Sequence, residues 1–155
     1  HDNIIPDVIT IAKALGTGIP IGACLASNKA SEILIPGSHG STFGGNFLSC
    51  KVALKVLDLM RDEQICINAR EMGIYFDKEL KTRLANKKSI SEIRCKGLMI
   101  GIELKNECTE IANKFLYNGL VVNITKGNVI RLLPPLIIKK QQVNDIISIL
   151  EKVIE

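Results

Sequence analysis

Three observations predict an α/β fold for this chain. Two short runs rich in aliphatic and β-branched residues, VITI at residues 8–11 and IGACLA at residues 21–26, read as buried strands. Two long stretches with helical apolar spacing follow them. The last part then mixes short strand-like runs with helical ones and closes on an apolar stripe. A seam falls near Arg61 to Gln64, which divides the chain into residues 1–62 and residues 63–155.

Each element has its own sequence reason. Gly16, Gly18 and Pro20 permit tight backbone paths in the connection between the first two strands. Ser27 or Asn28 can cap a short helix from Lys29 to Leu34. The stretch from Pro36 to Asn46 is a glycine-rich loop. Asn46 then caps a helix that places Leu48, Val52, Leu57 and Met60 on or near one face and ends near Asp62. A longer helix carries Ile65, Ala69, Met72, Phe76, Leu80 and Leu84 at i, i+4, i+7, i+11 spacing. Strands are expected at Ile90 to Arg94 and Leu98 to Leu104. A helix from about Glu107 to Tyr117 is stopped by Asn118-Gly119. Leu120 to Ile124 and Val129 to Leu133 flank Thr125-Lys126-Gly127, a hairpin signal. The final helix shows Val143, Ile146, Ile147, Leu150 and Val153-Ile154 on one side.

Composition excludes several classes. Hydrophobic residues make up 46% of the 155 positions against 23% charged, with no Trp. Such an apolar chain implies burial in a larger body or at an oligomer interface. The net charge of +4 comes from scattered Lys and Arg without aromatic interleaving, which argues against nucleic-acid binding. Five cysteines, never spaced C-x-x-C, read as reduced structural thiols in the cytoplasm, with neither zinc nor a disulfide framework. No apolar run reaches transmembrane length, and no signal-peptide pattern opens the chain. The expectation is a cytoplasmic protein with no membrane partner. A buried-type strand at residue 8, with almost nothing before it to cover it, further suggests about the last third of a longer polypeptide.

Three stretches carry candidate chemistry. In TIAKALGTGIPIG, residues 10–22, Lys13 is the one charge. Either its methylenes pack and its amine reaches water, or apolar surroundings disfavour its proton. An amine adds to a carbonyl only when neutral, and burial is one way to reach that state. The glycines there form G-x-G-x-x-x-G, one residue too long for a dinucleotide fingerprint, and no P-loop G-K-[ST] exists. In GSHGSTFGGN, residues 37–46, small residues and the hydroxyls of Ser41 and Thr42 suit a bound phosphate, or form a plain flexible loop. No G-x-S-x-G elbow accompanies His39, so a serine hydrolase is a poor reading. In NVIRLLPPLII, residues 128–138, Arg131 either snorkels at an edge or grips a carboxylate with its two-donor fork.

Five stretches in order, PDVITIAKALGTGIPIGA, GSHGSTFGGN, IRCKGLMIGIEL, GLVVN and VIRLLPPLII, strongly resemble the class III, ornithine-type aminotransferases that use pyridoxal 5'-phosphate, and most closely their acetylornithine branch. The resemblance covers essentially the whole chain. It implies fold type I: residues 1–62 would end the large cofactor domain, and residues 63–155 would form the small C-terminal α+β domain. It also implies a homodimer with active sites shared between subunits. The implied reaction moves the side-chain amino group of N-acetylornithine, or of ornithine, to 2-oxoglutarate, in arginine biosynthesis.

Carried over by residue, the resemblance makes Lys13 the Schiff-base lysine and Thr42 the ligand of the phosphate bound to the neighbouring subunit. Ser41 becomes a substrate contact, and Arg131 the holder of the amino-acid or oxo-acid carboxylate. No metal is implied. Phe47 stands where the family usually has proline, and Cys95 where it usually has glycine. The family's aspartate partner of the pyridine nitrogen matches neither Asp2 nor Asp7, so the chain alone is expected to be inactive. Other members of the class remain open, namely 4-aminobutyrate and ornithine aminotransferases or an aminomutase. Outside the class, a truncated interaction module without catalysis is the alternative.

Overall fold

The computed structural model describes residues 3–154. The chain forms two compact units that divide between Glu63 and Gln64.

The first unit begins with β1 (Val8–Ile11), which pairs antiparallel with β2 (Ala23–Ala26) in a two-stranded ribbon. The predicted strands are present, but the second is shorter than expected because β1 offers only four partners. Their burial is not as the sequence implied. Val8, Ile9, Ile11 and Leu25 are all exposed, since the ribbon is only two strands wide and carries little packed against it. Asp7 anchors the ribbon's end: its carboxylate accepts the Ser27 hydroxyl at 3.2 Å, and its carbonyl accepts the Ser27 amide at 2.8 Å. Ser27 also caps α1 (Asn28–Ser31), two residues shorter than the predicted helix; turn hydrogen bonds replace its last part. A loop leads to α2 (Phe47–Asp62), capped by Asn46 as expected. Its buried positions are Ser49 and Ala53, whereas Leu48 and Leu57 are exposed. The helix therefore packs on a narrower stripe than its apolar pattern offered.

The second unit has a closed core. After Gln64, held in the left-handed region at φ 53°, comes α3 (Ile65–Arg83). Four antiparallel strands follow in the spatial order β3-β4-β6-β5: β3 (Ile90–Lys96), β4 (Met99–Leu104), β5 (Asn123–Thr125) and β6 (Val129–Leu132). α4 (Ile111–Tyr117) sits between β4 and β5, and α5 (Lys140–Val153) ends the chain's order. α4 starts four residues later than predicted because the Cys108 amide donates to the Gly127 carbonyl at 2.8 Å and holds that segment in a turn. Lys126 and Gly127 turn the β5–β6 hairpin with positive φ of 53° and 79°.

Alternation sorts the sheet residues. Ile100, Ile102, Leu104, Ile130 and Leu132 face a core completed by Phe76, Leu80, Phe115, Ile147 and Leu150. Met99, Gly101, Glu103, Val129 and Arg131 point the other way. α3 comes unusually close to the β3–β4 turn, for a Cβ on Gly73 would lie 2.6 Å from the Gly97 carbonyl. No helix among the described residues is long and apolar enough to cross a membrane. All five cysteines are free thiols, and no group of three or more His, Cys, Asp or Glu among the described residues could hold a metal ion.

Candidate active site

Lys13 follows directly on the end of β1. Ala12 is still extended at φ −159°, and Lys13 then enters the left-handed region at φ 52° to open a 3₁₀ turn, Lys13–Leu15. A non-glycine residue there costs about 1–2 kcal/mol. The turn closes through the Gly16 amide on the Lys13 carbonyl at 3.1 Å, and the Ile19 amide continues it on Gly16 at 2.9 Å. Gly16 is required sterically: a Cβ would lie 2.0 Å from the Ile19 carbonyl oxygen.

The apolar burial of Lys13 considered from sequence is not found. Its side chain is exposed and lines a recess of about 340 Å³ with Gly18, Ile19, Pro20 and Ile21. Ile19 and Ile21 line that recess beside it but leave the side chain exposed. Among the described residues that amine has no hydrogen-bond or ion-pair partner.

Pro20 and Ile21 also wall a second recess, of about 280 Å³, with Gly22, Ser41, Phe43–Asn46, Ser49 and Cys50. The loop curls on itself there: the Gly44 amide bonds the Ser41 carbonyl at 3.3 Å, and a Cβ on Gly44 would crowd Ser41 Cβ at 3.0 Å. Asn46 fixes the loop to α2. Its Oδ1 accepts the Ser49 amide at 3.0 Å, while its Nδ2 donates to the Phe43 carbonyl at 3.0 Å. The Ser49 hydroxyl in turn donates to the Pro20 carbonyl at 3.2 Å. Loop, helix and the turn after Lys13 are thus tied by one small polar clamp. Ser49 is buried, and no sequence signal beyond its place in the first turn of a capped helix pointed to it. Ser41 and Thr42 are both exposed, and their hydroxyls have no partner among the described residues. Thr42 lies beside Ser41 without lining either recess. Phe47, in the first helical position that favours proline, is exposed and leaves the Asn46 cap intact. Asp7 is engaged with Ser27, as described above, and Asp2 lies outside the described residues.

Arg131 belongs to the second unit. It sits mid-strand in β6, opposite Gly101 of β4 and Asn123 of β5, on the open face of the sheet. It is exposed and unpartnered among the described residues. With Arg94, Lys96, Met99, Gly101, Thr125 and Val129 it lines a recess of about 280 Å³. Sequence reasoning passed over Arg94, although the alternation Glu92-x-Arg94-x-Lys96 put three charges on one strand face. Arg94 donates to both Glu92 and Glu103, the latter at 2.6 Å, and these partners raise its pKa above the ordinary arginine value, Glu103 first. Cys95 faces the other way, where burial, with the Asp77 carboxylate beside it, pushes the thiol up to about 12.

Comparison with known proteins gives this geometry its family. The model of the family described as Aminotransferase class-III matches residues 1–154. Acetylornithine aminotransferase 1 of Bordetella bronchiseptica is 43% identical over 99% of this chain, which spans 39% of that relative's length. The structure of Plasmodium falciparum ornithine delta-aminotransferase superposes with a TM-score of 0.92 at 39% identity, over 97% of this chain and 40% of that one. The acetylornithine aminotransferase of Elizabethkingia anophelis gives the same TM-score at 37% identity, over 99% of this chain and 40% of that one. The structural neighbours are pyridoxal-phosphate enzymes of fold type I, and the backbone does not choose between their two substrates. By the match along its whole described length, the chain belongs to the class III aminotransferase family.

Proposed function

We propose that this chain is the C-terminal part of a cytoplasmic, homodimeric aminotransferase that moves the side-chain amino group of N-acetylornithine to 2-oxoglutarate, in arginine biosynthesis. Residues 1–62 end its large cofactor domain, and residues 63–155 form its small domain. The observation that carries the substrate assignment is the likeness to acetylornithine aminotransferases along nearly the whole chain. Ornithine as the amino donor is the second reading, favoured by the fold likeness to ornithine aminotransferases.

The residues present fit pyridoxal phosphate, the family's cofactor: an amine without a protein partner, two free hydroxyls on a small-residue loop, and an unpaired guanidinium. When bound, the cofactor supplies an aldehyde that captures amino groups and a conjugated ring that takes up electron density. Lys13 Nζ would hold that group and, as a neutral amine, would serve as the base and acid that moves a proton at the substrate carbon bearing the amino group. Thr42 Oγ1 would donate to the phosphate of the group held by the partner subunit. Ser41 orients the amino donor, and the Arg131 fork holds a carboxylate by two parallel N–H donations. Pro20 and Ile21, shared by the two recesses, keep amine and loop adjacent.

The test is a turnover assay of the full-length protein with N-acetylornithine, ornithine or 4-aminobutyrate, each with and without 2-oxoglutarate. Turnover that requires 2-oxoglutarate and is fastest with N-acetylornithine is expected, with none from the 155-residue chain alone. Turnover without any oxo acid would indicate a mutase. A soluble full-length protein inactive with every donor would indicate an interaction module.

A further inference from the structure

Under the proposed function, Lys13 and Thr42 of one chain serve different sites. Lys13 holds the cofactor of its own subunit, and Thr42 reaches the phosphate of the cofactor in the partner subunit. Within the chain, a continuous run of bonds ties the two residues together. The Gly16 amide closes the turn on the Lys13 carbonyl at 3.1 Å, and the Gly16 carbonyl accepts the Ile19 amide at 2.9 Å. The next residue, Pro20, offers its carbonyl to the Ser49 hydroxyl at 3.2 Å. Ser49 is buried in the first turn of α2, and its amide donates to Asn46 Oδ1 at 3.0 Å. Asn46 Nδ2 donates in turn to the carbonyl of Phe43, the neighbour of Thr42, at 3.0 Å. The Gly44 amide closes the turn around Thr42 on the Ser41 carbonyl at 3.3 Å.

This run is stiff at both ends. Gly16 has no room for a Cβ, Pro20 has a fixed φ, and Asn46 is held from both sides of its amide. The Ser49 hydroxyl is where the run crosses from the Lys13 turn to the helix and the loop. A buried hydroxyl that lost the Pro20 carbonyl would be left without its partner, so the crossing is costly to break. Ordering the turn therefore orders the loop, and the reverse. A loop already ordered when the partner's phosphate arrives has less conformational entropy left to lose. By linkage the effect runs equally in both directions.

We infer that Ser49 is a positioning residue that couples the two active sites of the dimer: cofactor held by one subunit favours cofactor binding in the other. This rests on the reading of Lys13 and Thr42 given under the proposed function.

Titration of pyridoxal phosphate into the cofactor-free full-length dimer, followed by absorbance, gives the two stepwise affinities. After removal of the statistical factor, the second is expected to be about tenfold tighter than the first. Ser49→Ala is expected to bring the two within about twofold of each other, chiefly by weakening the second. Ser49→Thr keeps the hydroxyl and retains the difference. A purely structural role for Ser49 would weaken both steps alike and leave their ratio unchanged. That result overturns the inference, as do equal intrinsic affinities in the unaltered protein. If Ser49→Ala does not fold, Asn46→Asp gives the same comparison, since it keeps the acceptor for the Ser49 amide but removes the donor to Phe43. A mixed dimer of one Lys13→Ala and one Thr42→Ala protomer tests the underlying reading separately. With Thr42 serving the partner, it keeps one site with both residues intact and binds one cofactor as tightly as the first step of the unaltered dimer. Absence of such a site, or a monomeric full-length protein, defeats that reading whatever Ser49 does.

Discussion

The two units use the same kind of residue to opposite effect. In the first, Val8 and Ile9 of β1 are 49% and 45% exposed; in the second, Ile102 of β4 and Ile130 of β6 are 0% exposed. All four are β-branched strand residues. What differs is the second layer. The four-stranded sheet has α3 and α5 against its apolar face, whereas among the described residues the two-stranded ribbon has little packed against it. Apolar strand sequence therefore states a demand for burial, and only the surroundings decide whether it is met. The unit with the unmet demand is also the one that carries Lys13, Ser41 and Thr42, with strained backbone at Lys13 and Thr17. Under the proposed function, its cover comes from elsewhere in the longer polypeptide or from the second subunit.

The largest expected effect sharpens this contrast directly. Phe76→Ala removes a fully buried ring from the second unit and is expected to cost about 3–5 kcal/mol in urea unfolding of the full-length protein. Val8→Ala is the probe in the first unit. If β1 is covered in the full-length protein, it costs about 2 kcal/mol; if β1 stays as open as described here, it costs under about 0.5 kcal/mol. The second result would break the idea that the ribbon is a domain's interior strand pair.

Ser49→Ala comes next in size. It removes the donor to the Pro20 carbonyl and is expected to lower stability by about 1 kcal/mol. Cofactor affinity should fall with it, since Pro20 borders both recesses; unchanged affinity would show that the clamp does not set the loop's position.

The last expected effect concerns pH. Burial raises the Cys95 thiol from its ordinary 9.0 to about 12, so the folded state holds that proton more tightly than the unfolded chain. The resulting stabilisation is complete below about pH 9 and is lost as pH rises toward 12. The stability of the unaltered protein relative to Cys95→Ser should decline across that window, measured by denaturant midpoints. A flat difference would mean the thiol is not buried in solution.

Much of the fold was legible because local signals and packing agreed. Asn46 caps α2, Gly119 with its positive φ ends the turn after α4, and Lys126-Gly127 turns the hairpin. The stripe Met72, Phe76 and Leu80 is the core face of α3, and buried Leu84 continues it just past the helix end. Legibility failed where an outcome depended on absent or distant neighbours. Leu48 and Leu57 look buried by spacing and are exposed. Lys13 sits among apolar letters, yet exposure is set by three-dimensional cover. The pairing of Arg94 with Glu103 is a matter of register between strands, which no single strand's alternation fixes. Sequence shows Gly16 only as a residue that permits a tight path, whereas the structure demands the missing Cβ itself.

The central claim is that Lys13 Nζ is the amine that bonds covalently to pyridoxal phosphate. Borohydride reduction of the full-length holoprotein, followed by proteolysis and peptide mass measurement, tests it in one step. The account predicts a reduced phosphopyridoxyl group on the peptide containing Lys13 and on no other lysine. The same mass shift on any other lysine, with the Lys13 peptide unmodified, would contradict it.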